Sequence, residues 1–343
     1  MHMADALLSP TVGAAFWTGS VAVLGYASTK LQMTLDDRKV PLMGVLGAFI
    51  FAAQMINFTI PGTGSSGHLG GGMVLAVLLG PQAAFLVMAS VLTVQALFFA
   101  DGGLLALGCN IWNLGIYPCF LAYPLIYRPL AGDATNQRRT LLAALLAAVV
   151  ALQLGAFSVV VQTLLSGKSA LPFATFSLLM QPIHLAIGIV EGLVTAGVIN
   201  AVRTMRPELL ASSFTATPLQ QNLPLKSLLL SFAALALITG TTLSWFASTR
   251  PDGLEWSIEK VIGRPELPET EQGITTSLKE LQKKTALMPD YTFKTTETSR
   301  TEESTAWPAV DGGTSVAGLL GTAMVLGLVV LVGLAIRSVR RMA

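Results

Sequence analysis

The chain opens with Met1-His2, two residues that together offer three nitrogen donors: a free amine, a peptide nitrogen and an imidazole. Met1 should be retained, because aminopeptidases remove Met mainly before small residues. A second histidine, His68, could supply a fourth nitrogen from the loop PGTGSSGHLGGG at 61–72. Square-planar nitrogen coordination suits Ni(II) or Cu(II). The sequence therefore indicates a transition-metal site, provided that the amino terminus and His68 meet.

The same glycine-rich loop imitates a phosphate-binding loop, because Gly62 and Gly67 have G-x-x-x-x-G spacing. The lysine that such a loop requires is replaced by His68, and the Ser/Thr that should follow is Leu69. We therefore expect no nucleotide to be bound by this chain. The glycines instead permit positive φ values and close backbone approach.

Composition places the chain in a lipid bilayer. Of 343 residues, 52% are hydrophobic and only 12% are charged, and mean hydropathy is +0.65. A soluble domain carries roughly 25% charged residues. The net charge of +2 is too small to indicate a nucleic-acid partner. Cys109 and Cys119 lie in apolar segments without CxxC spacing and are expected to be packing residues.

The fold class predicted is an all-α polytopic membrane protein. Apolar segments predict nine spans, near 10–33, 40–58, 71–80, 82–100, 104–127, 140–166, 180–203, 225–246 and 314–336. Twelve of the thirteen Lys and Arg residues outside 247–312 then fall on one side, which the positive-inside rule makes cytoplasmic. This predicts an extracytoplasmic amino terminus and a cytoplasmic carboxy terminus. The span 71–80 is short, and without it the following loops change sides.

Three regions are predicted: a seven-helix module at 1–206, a cytoplasmic linker at 207–224 and a two-helix module at 225–343. The stretch 247–312 carries twelve acidic and eight basic residues, which indicates an extracytoplasmic loop between the last two helices. A short helix is predicted near Thr276–Thr285. We expect no cleaved signal peptide, because a basic n-region is missing.

Several polar residues are candidates for support of the metal site or for a polar path. Ionisable residues in spans usually face the bundle interior or water. His184 and Glu191 are seven residues apart and therefore share a helix face. The alternatives are helix capping and structural hydrogen bonds between helices. The full candidate set is Asp5, Asn57, Ser66, Asp101, Asn110, His184 and Glu191.

Four blocks of sequence in order carry a family resemblance: MHMADALLSP, NFTIPGTGSSGHLGG, QALFFADGGLLALGCNIWNLG and QPIHLAIGIVEG. They resemble NikM/CbiM proteins, the substrate-specific S components of energy-coupling factor (ECF) nickel and cobalt importers. The two-helix module with PDGLEWS is similar to their NikN/CbiN companion. The segment Met3-Ala4-Asp5-Ala6 departs from the family's Ile-Pro-Asp-Gly, which leaves the terminal turn less pre-set.

The resemblance implies a six-helix ECF core plus an extra amino-terminal helix that places the terminus inside the bundle. It implies metal held by the Met1 amine, the His2 amide and imidazole, and His68. It also implies import of Ni(II) first and Co(II) second across a bacterial inner membrane. The chain would be non-catalytic, and its partners would be separate ATPase subunits and a transmembrane coupling (T) subunit. The alternatives are a stand-alone secondary transporter or channel, and a metal receptor without transport.

Overall fold

Helices dominate the computed structural model, which describes residues 2–34, 36–132, 136–215, 224–268, 273–294 and 307–342. The predicted all-α class is confirmed. After a 3₁₀ turn at Asp5–Leu7, the first part of the chain forms α1 (Pro10–Thr34), α2 (Lys39–Gln54), strands β1 (Phe58–Thr59) and β2 (Ser66–Gly67), α3 (Gly72–Leu79), α4 (Pro81–Phe98), α5 (Leu107–Ile111), a π-helix (Trp112–Tyr127), α6 (Arg128–Ala131), α7 (Gln137–Leu165) and α8 (Phe173–Met205).

The remaining elements belong to the carboxy-terminal part. They are α9 (Pro207–Thr215), α10 (Lys226–Thr241), a 3₁₀ turn (Leu243–Phe246), α11 (Gly253–Ile262), α12 (Ile274–Thr285), a 3₁₀ turn (Pro289–Tyr291) and α13 (Gly312–Met342). Helix α12 lies where the sequence predicts a short helix. Helix α9 occupies the start of the predicted linker, and its Leu209 and Leu210 are buried. The Ser/Thr-rich composition of that stretch hid the helix.

Four of the described helices are long and apolar enough to cross a membrane: Pro81–Phe98, Gln137–Leu165, Phe173–Met205 and Gly312–Arg340. Helices α2 and α10 are apolar but shorter. Helix α1 has 25 residues and spans about 37 Å at about 1.5 Å per residue. The helices therefore follow the predicted apolar segments, with one difference in length.

That difference is α3, which replaces the predicted span at 71–80. Its eight residues rise only about 12 Å, against about 30 Å of hydrocarbon, so α3 alone cannot cross a bilayer. The loop before it enters the bundle instead. A Cβ at Gly67 would lie 2.6 Å from Cγ1 of Ile187, near the middle of α8, so the loop backbone runs against that helix.

Glu191 holds the start of α3. Its carboxylate accepts a hydrogen bond from the Gly70 amide at 2.7 Å, and the amides of Gly71 and Met73 also hydrogen-bond it. A carboxylate at a helix amino terminus satisfies free N–H groups and complements the helix dipole. The predicted shared face of Glu191 and His184 is observed, since both are buried on α8. Glu191 supports the loop backbone rather than the His68 ring.

Residues 107–131 form one continuous helical run whose centre is π-helical. Pro118 and Pro124 lie inside it. Each proline removes a backbone donor from the helical ladder, which favours a locally widened helix.

The carboxy-terminal helices pack on the first part of the chain. Helices α10 and α13 contact each other and α2, and α13 also contacts α4. At one end of the bundle, Arg337 pairs with Asp37 at 2.8 Å. At the other, residues 248–253 and 282–291 cover the loops that follow α2 and α4. The second module therefore adds a cover over one end of the first.

Helices α10 and α13 approach closely at Gly240 and Gly318. A Cβ at Gly318 would collide with the Gly240 carbonyl, whereas one at Gly327 meets nothing within 4 Å. We expect Gly318→Val to destabilise the protein by about 1–3 kcal/mol through overpacking. Thermal unfolding in detergent measures the loss of stability, with Gly327→Val on the same helix as the control. Equal unfolding temperatures for the two variants would contradict this packing.

Candidate metal site

The amino-terminal segment is anchored inside the bundle by Asn110 and Asp5. Asn110 receives a hydrogen bond from the Met3 amide at 2.8 Å and returns one to the Met3 carbonyl at 3.3 Å. The Met3 carbonyl also accepts from Gly103 at 2.9 Å. Asp5 accepts from the Ala106 amide at 2.9 Å. Both predicted supporting residues therefore fix the chain that presents His2, and Met3 is fully buried.

His2 and His68 meet. Their rings stack with centroids 5.0 Å apart and planes 7° apart, and the His2 side chain is only 7% exposed. Nδ1 of His68 lies 3.0 Å from the Leu69 carbonyl. Burial is the largest cause that lowers the pKa of His68, to about 3. His68 is therefore the neutral imidazole that a metal requires.

Asp101 connects His2 to the second module. Its Oδ1 lies 3.0 Å from Nδ1 of His2, and its Oδ2 accepts a hydrogen bond from the Tyr291 hydroxyl at 2.5 Å. Burial raises the pKa of Asp101, but its contacts with His2 and Tyr291 outweigh burial and hold that pKa well below its ordinary value. A stable carboxylate therefore faces the candidate donor ring.

The loop carrying His68 is a small hairpin, β1 against β2, that the sequence did not predict. Ser66 donates from its amide to the Pro251 carbonyl at 2.8 Å and from its hydroxyl to the Arg250 carbonyl at 2.7 Å. The Asn57 carbonyl accepts from the Ser248 amide at 2.7 Å. Ser66 and Asn57 therefore attach the loop to the second module, and neither contacts a histidine ring through these bonds.

His184 lines the same small pocket as His68, together with Asp252 and Gly253. Nδ1 of His184 lies 2.8 Å from the Met180 carbonyl one turn earlier on α8, rather than bonding a neighbouring helix. Asp252 caps α11 by accepting from the amides of Leu254 and Glu255. The pocket is thus built from both modules.

Several residues near the site were not predicted, although the sequence contains signals for some of them. Asp252 and Glu255 have the D-x-x-E spacing of a capping box, which the structure contains. Gln95 donates to Gln54 at 2.8 Å, and Gln54 donates to the Gly70 carbonyl at 2.8 Å. Two buried glutamines in apolar helices are expected to bond something nearby. No local pattern identifies Tyr291.

Within the part of the chain that the structure describes, no three His, Cys, Asp or Glu side chains are grouped to hold a metal ion. Met1 lies outside the described residues. A metal bound between the two histidines would therefore need further donors of another kind, such as backbone or terminal nitrogens. The terminus expected from Met1-His2 would supply such nitrogens.

Two family profiles match the chain. The profile named CbiM, cobalt uptake substrate-specific transmembrane region, matches residues 2–209. The PDGLE domain profile matches residues 226–338. Together they cover almost the whole sequence.

Similar proteins and a solved structure agree with these matches. A protein of Archaeoglobus fulgidus with the name "Putative fused nickel transport protein NikMN" is 33% identical over 330 residues, 96% of each chain. The cobalt transport protein CbiM of Sorangium cellulosum is 30% identical over 224 residues, 61% of this chain and 94% of that one. A crystal structure of a truncated transition metal transporter is 32% identical, has a TM-score of 0.51, and covers 60% of this chain and 99% of its own.

Proposed function

The chain belongs to the CbiM family of cobalt-uptake substrate-specific transmembrane proteins, with a PDGLE domain fused to it, and we propose that it is the metal-binding S component of an ATP-driven ECF importer. Its relatives are nickel and cobalt transport proteins, so it is a multi-pass membrane protein of metal transport. The proposal adds the metal, the donors, the energy source and the partners.

The stacked, buried pair His2 and His68 carries the proposal. Two imidazoles held together at the end of an apolar bundle, with Asp101 beside one of them, have the chemistry of a transition-metal site. The proposed donors are the Met1 amine, the His2 amide and imidazole, and the His68 imidazole. Asp101 offsets part of the cation's charge.

Nickel is the proposed first substrate and cobalt the second. Nitrogen sites bind Ni(II) more tightly than Co(II), and a planar set of four nitrogens favours Ni(II) further. The fused relative from Archaeoglobus fulgidus is named for nickel, whereas the family profile is named for cobalt. A metal-content assay of the purified protein decides between them.

The proposed setting is a bacterial inner membrane, with the candidate site on the extracytoplasmic side and the carboxy terminus in the cytoplasm. The basic residues support this orientation, because Lys and Arg concentrate on cytoplasmic loops. The sides stay as counted although α3 is short, because α2 and α4 both end near the site, where Gln95 donates to Gln54, so the loop and α3 together return the chain across the bundle. ATP hydrolysis is assigned to separate ATPase subunits, coupled through a T subunit. The driving cycle would reorient the loaded module toward the cytoplasm.

Uptake of radioactive nickel into liposomes tests this function. With candidate ATPase and T subunits present, we expect ATP-dependent accumulation, and without them binding but no accumulation. Accumulation by the chain alone would make it a secondary transporter or channel. Binding without accumulation in the full assembly would make it a receptor. Each of the last two results overturns the proposal.

Ni(II) binding should weaken as pH falls. The amine, with an ordinary pKa of about 7.7–8.0, and the His2 peptide nitrogen must lose protons to bind metal. His68, whose pKa is lowered to about 3, is neutral throughout this range and adds no pH dependence. One proton released corresponds to about tenfold per pH unit, so affinity should fall at least about 100-fold from pH 8 to 6. Calorimetry measures it, and a flat profile would rule out amide coordination.

A further inference from the structure

Tyr291 of the second module is connected to His2 through a single carboxylate. The Tyr291 hydroxyl donates to one oxygen of Asp101 at 2.5 Å, and the other oxygen lies 3.0 Å from Nδ1 of His2. Because each oxygen has its own partner, the tyrosine fixes the rotation of the carboxylate. The orientation of the His2 ring therefore depends on a residue of the other module.

Tyr291 is itself firmly placed. Its ring stacks on Phe99 with centroids 5.0 Å apart and planes 17° apart, and the Asp290 amide donates to the Phe99 carbonyl at 2.9 Å. Asp290 and Tyr291 have φ values of 50° and 61°, a left-handed conformation that is unfavourable for non-glycine residues. Such a conformation persists where the surroundings over-determine it. The tyrosine is thus held against the Asp101 turn by several contacts.

The donor set proposed above limits how His2 can bind a metal. A metal on the His2 backbone nitrogen is reached by Nδ1 of the same residue in a six-membered ring, whereas Nε2 points away. In this structure Nδ1 faces Asp101, and Nε2 is buried without a hydrogen-bond partner among the described residues. The ring orientation seen here therefore directs the required nitrogen at the carboxylate.

Resting on that proposed donor set, we propose that Tyr291 is a positioning residue that holds Asp101 while the His2 ring turns about its Cβ–Cγ bond during metal loading. Nδ1 then turns from Asp101 to the metal, and with a small movement of the ring Nε2 donates to Asp101 in its place. Asp101 takes the proton from Nδ1 as the ring turns and returns it to Nε2, so the imidazole and the carboxylate end with the charges with which they began. The exchange also gives the buried Nε2 a partner, and metal-bound histidines usually donate their second N–H to a carboxylate.

Nitrogen-15 NMR of the imidazole groups tests the proposal, because the chain contains only three histidines. Square-planar Ni(II) is diamagnetic, so both states can be observed. In the metal-free protein we expect His2 to be protonated at Nδ1, and with Ni(II) at Nε2. Spectra of metal-free His68→Ala and His184→Ala assign the signals. The same His2 tautomer with and without bound Ni(II) would overturn the ring exchange.

The role of Tyr291 is tested by Tyr291→Phe, which keeps the stacked ring and removes the hydroxyl. We expect the metal-free His2 signal to become a mixture of both tautomers, and Ni(II) affinity to fall about tenfold. Asp101→Asn with Tyr291→Phe should be no weaker than Asp101→Asn alone, because both changes act through one carboxylate. Tyr26→Phe, at a 56% exposed position on α1, is the control.

The two proposals fail separately. A wild-type protein that binds no Ni(II) overturns the metal-binding function, while the metal-free spectra still measure whether Tyr291 orients His2. A wild type that binds Ni(II), with an unchanged His2 signal in Tyr291→Phe, overturns the positioning role alone.

Discussion

A histidine-free peptide tag placed before Met1 is expected to abolish tight Ni(II) binding and leave the fold intact. The tag converts the proposed amine donor into a peptide nitrogen and adds chain where Met3 is fully buried and held by Asn110. Structural Zn(II) sites with four donors bind with about 10–16 kcal/mol, so by analogy one of four donors contributes roughly 3 kcal/mol, or more than 100-fold in affinity. Calorimetry on the purified protein measures the loss.

The matched control is the same tag after Ala343. It changes mass and charge equally but leaves Met1-His2 free, and we expect native affinity. Removing the amino-terminal tag with a protease that leaves no extra residue should restore binding. Tight binding by the amino-terminally tagged protein would exclude the amine as a donor. His68→Ala, which removes a side-chain donor instead, should lower Ni(II) affinity by a similar factor. Its unfolding temperature should stay near that of the wild type.

The sequence predicted the helices well, because membrane spans are encoded locally by length and apolarity. It failed at α3, whose eight residues are as apolar as a full span. What shortens α3 is the preceding loop, which enters the bundle to reach Glu191 and lies against Ile187 of α8. How far the loop enters the bundle depends on contacts between residues more than 100 positions apart. Local hydropathy cannot predict such contacts.

The candidate site was also predictable in part, because some of its signals are local in the sequence. His2 and His68 could be singled out because their residue types and the glycine loop are visible in the chain, and their stacking is observed. The supporting roles were less predictable. Asn110 and Asp5 bind the backbone of the terminal segment, whereas Asn57 and Ser66 bind the second module. Polarity near a helix end does not reveal which partner a side chain will choose.

The second module contributes contacts to the site that the sequence did not predict. Sequence composition describes 247–312 only as a charged loop, yet its described parts contact both elements that hold the histidines. Residues 248–252 pair with the His68 loop. Gln282 donates to the carbonyls of Ala96, near the end of α4, and Gly102, on the turn that carries Asp101, each at 2.8 Å. The site is therefore enclosed by two modules. A substitution in the second module should loosen the cover over the site without changing the atoms that bind the metal.

Gly253→Val is such a substitution, because it should displace the covering turn and leave the proposed donors in place. A Cβ at Gly253 would lie 2.5 Å from Cγ2 of Ile183 and 3.2 Å from Cε1 of His184. Ile183 is buried and branched at Cβ, so the turn at 250–253 must move away from α8. That movement breaks the bonds from Ser66 to Arg250 and Pro251 and opens the pocket beside His68. No proposed donor is altered.

We therefore expect Gly253→Val to accelerate Ni(II) release about ten- to hundredfold while the bound metal keeps its absorption spectrum, because support of the site is lost and its ligands are retained. Stopped-flow transfer of the metal to a chelator measures the rate. Gly327→Val is the control, since a Cβ there meets nothing within 4 Å. Unchanged release would show that the turn yields without exposing the metal, whereas an altered spectrum would mean that Gly253 shapes the donor set itself. Faster release with an unaltered spectrum would identify the second module as the cover that retains the metal.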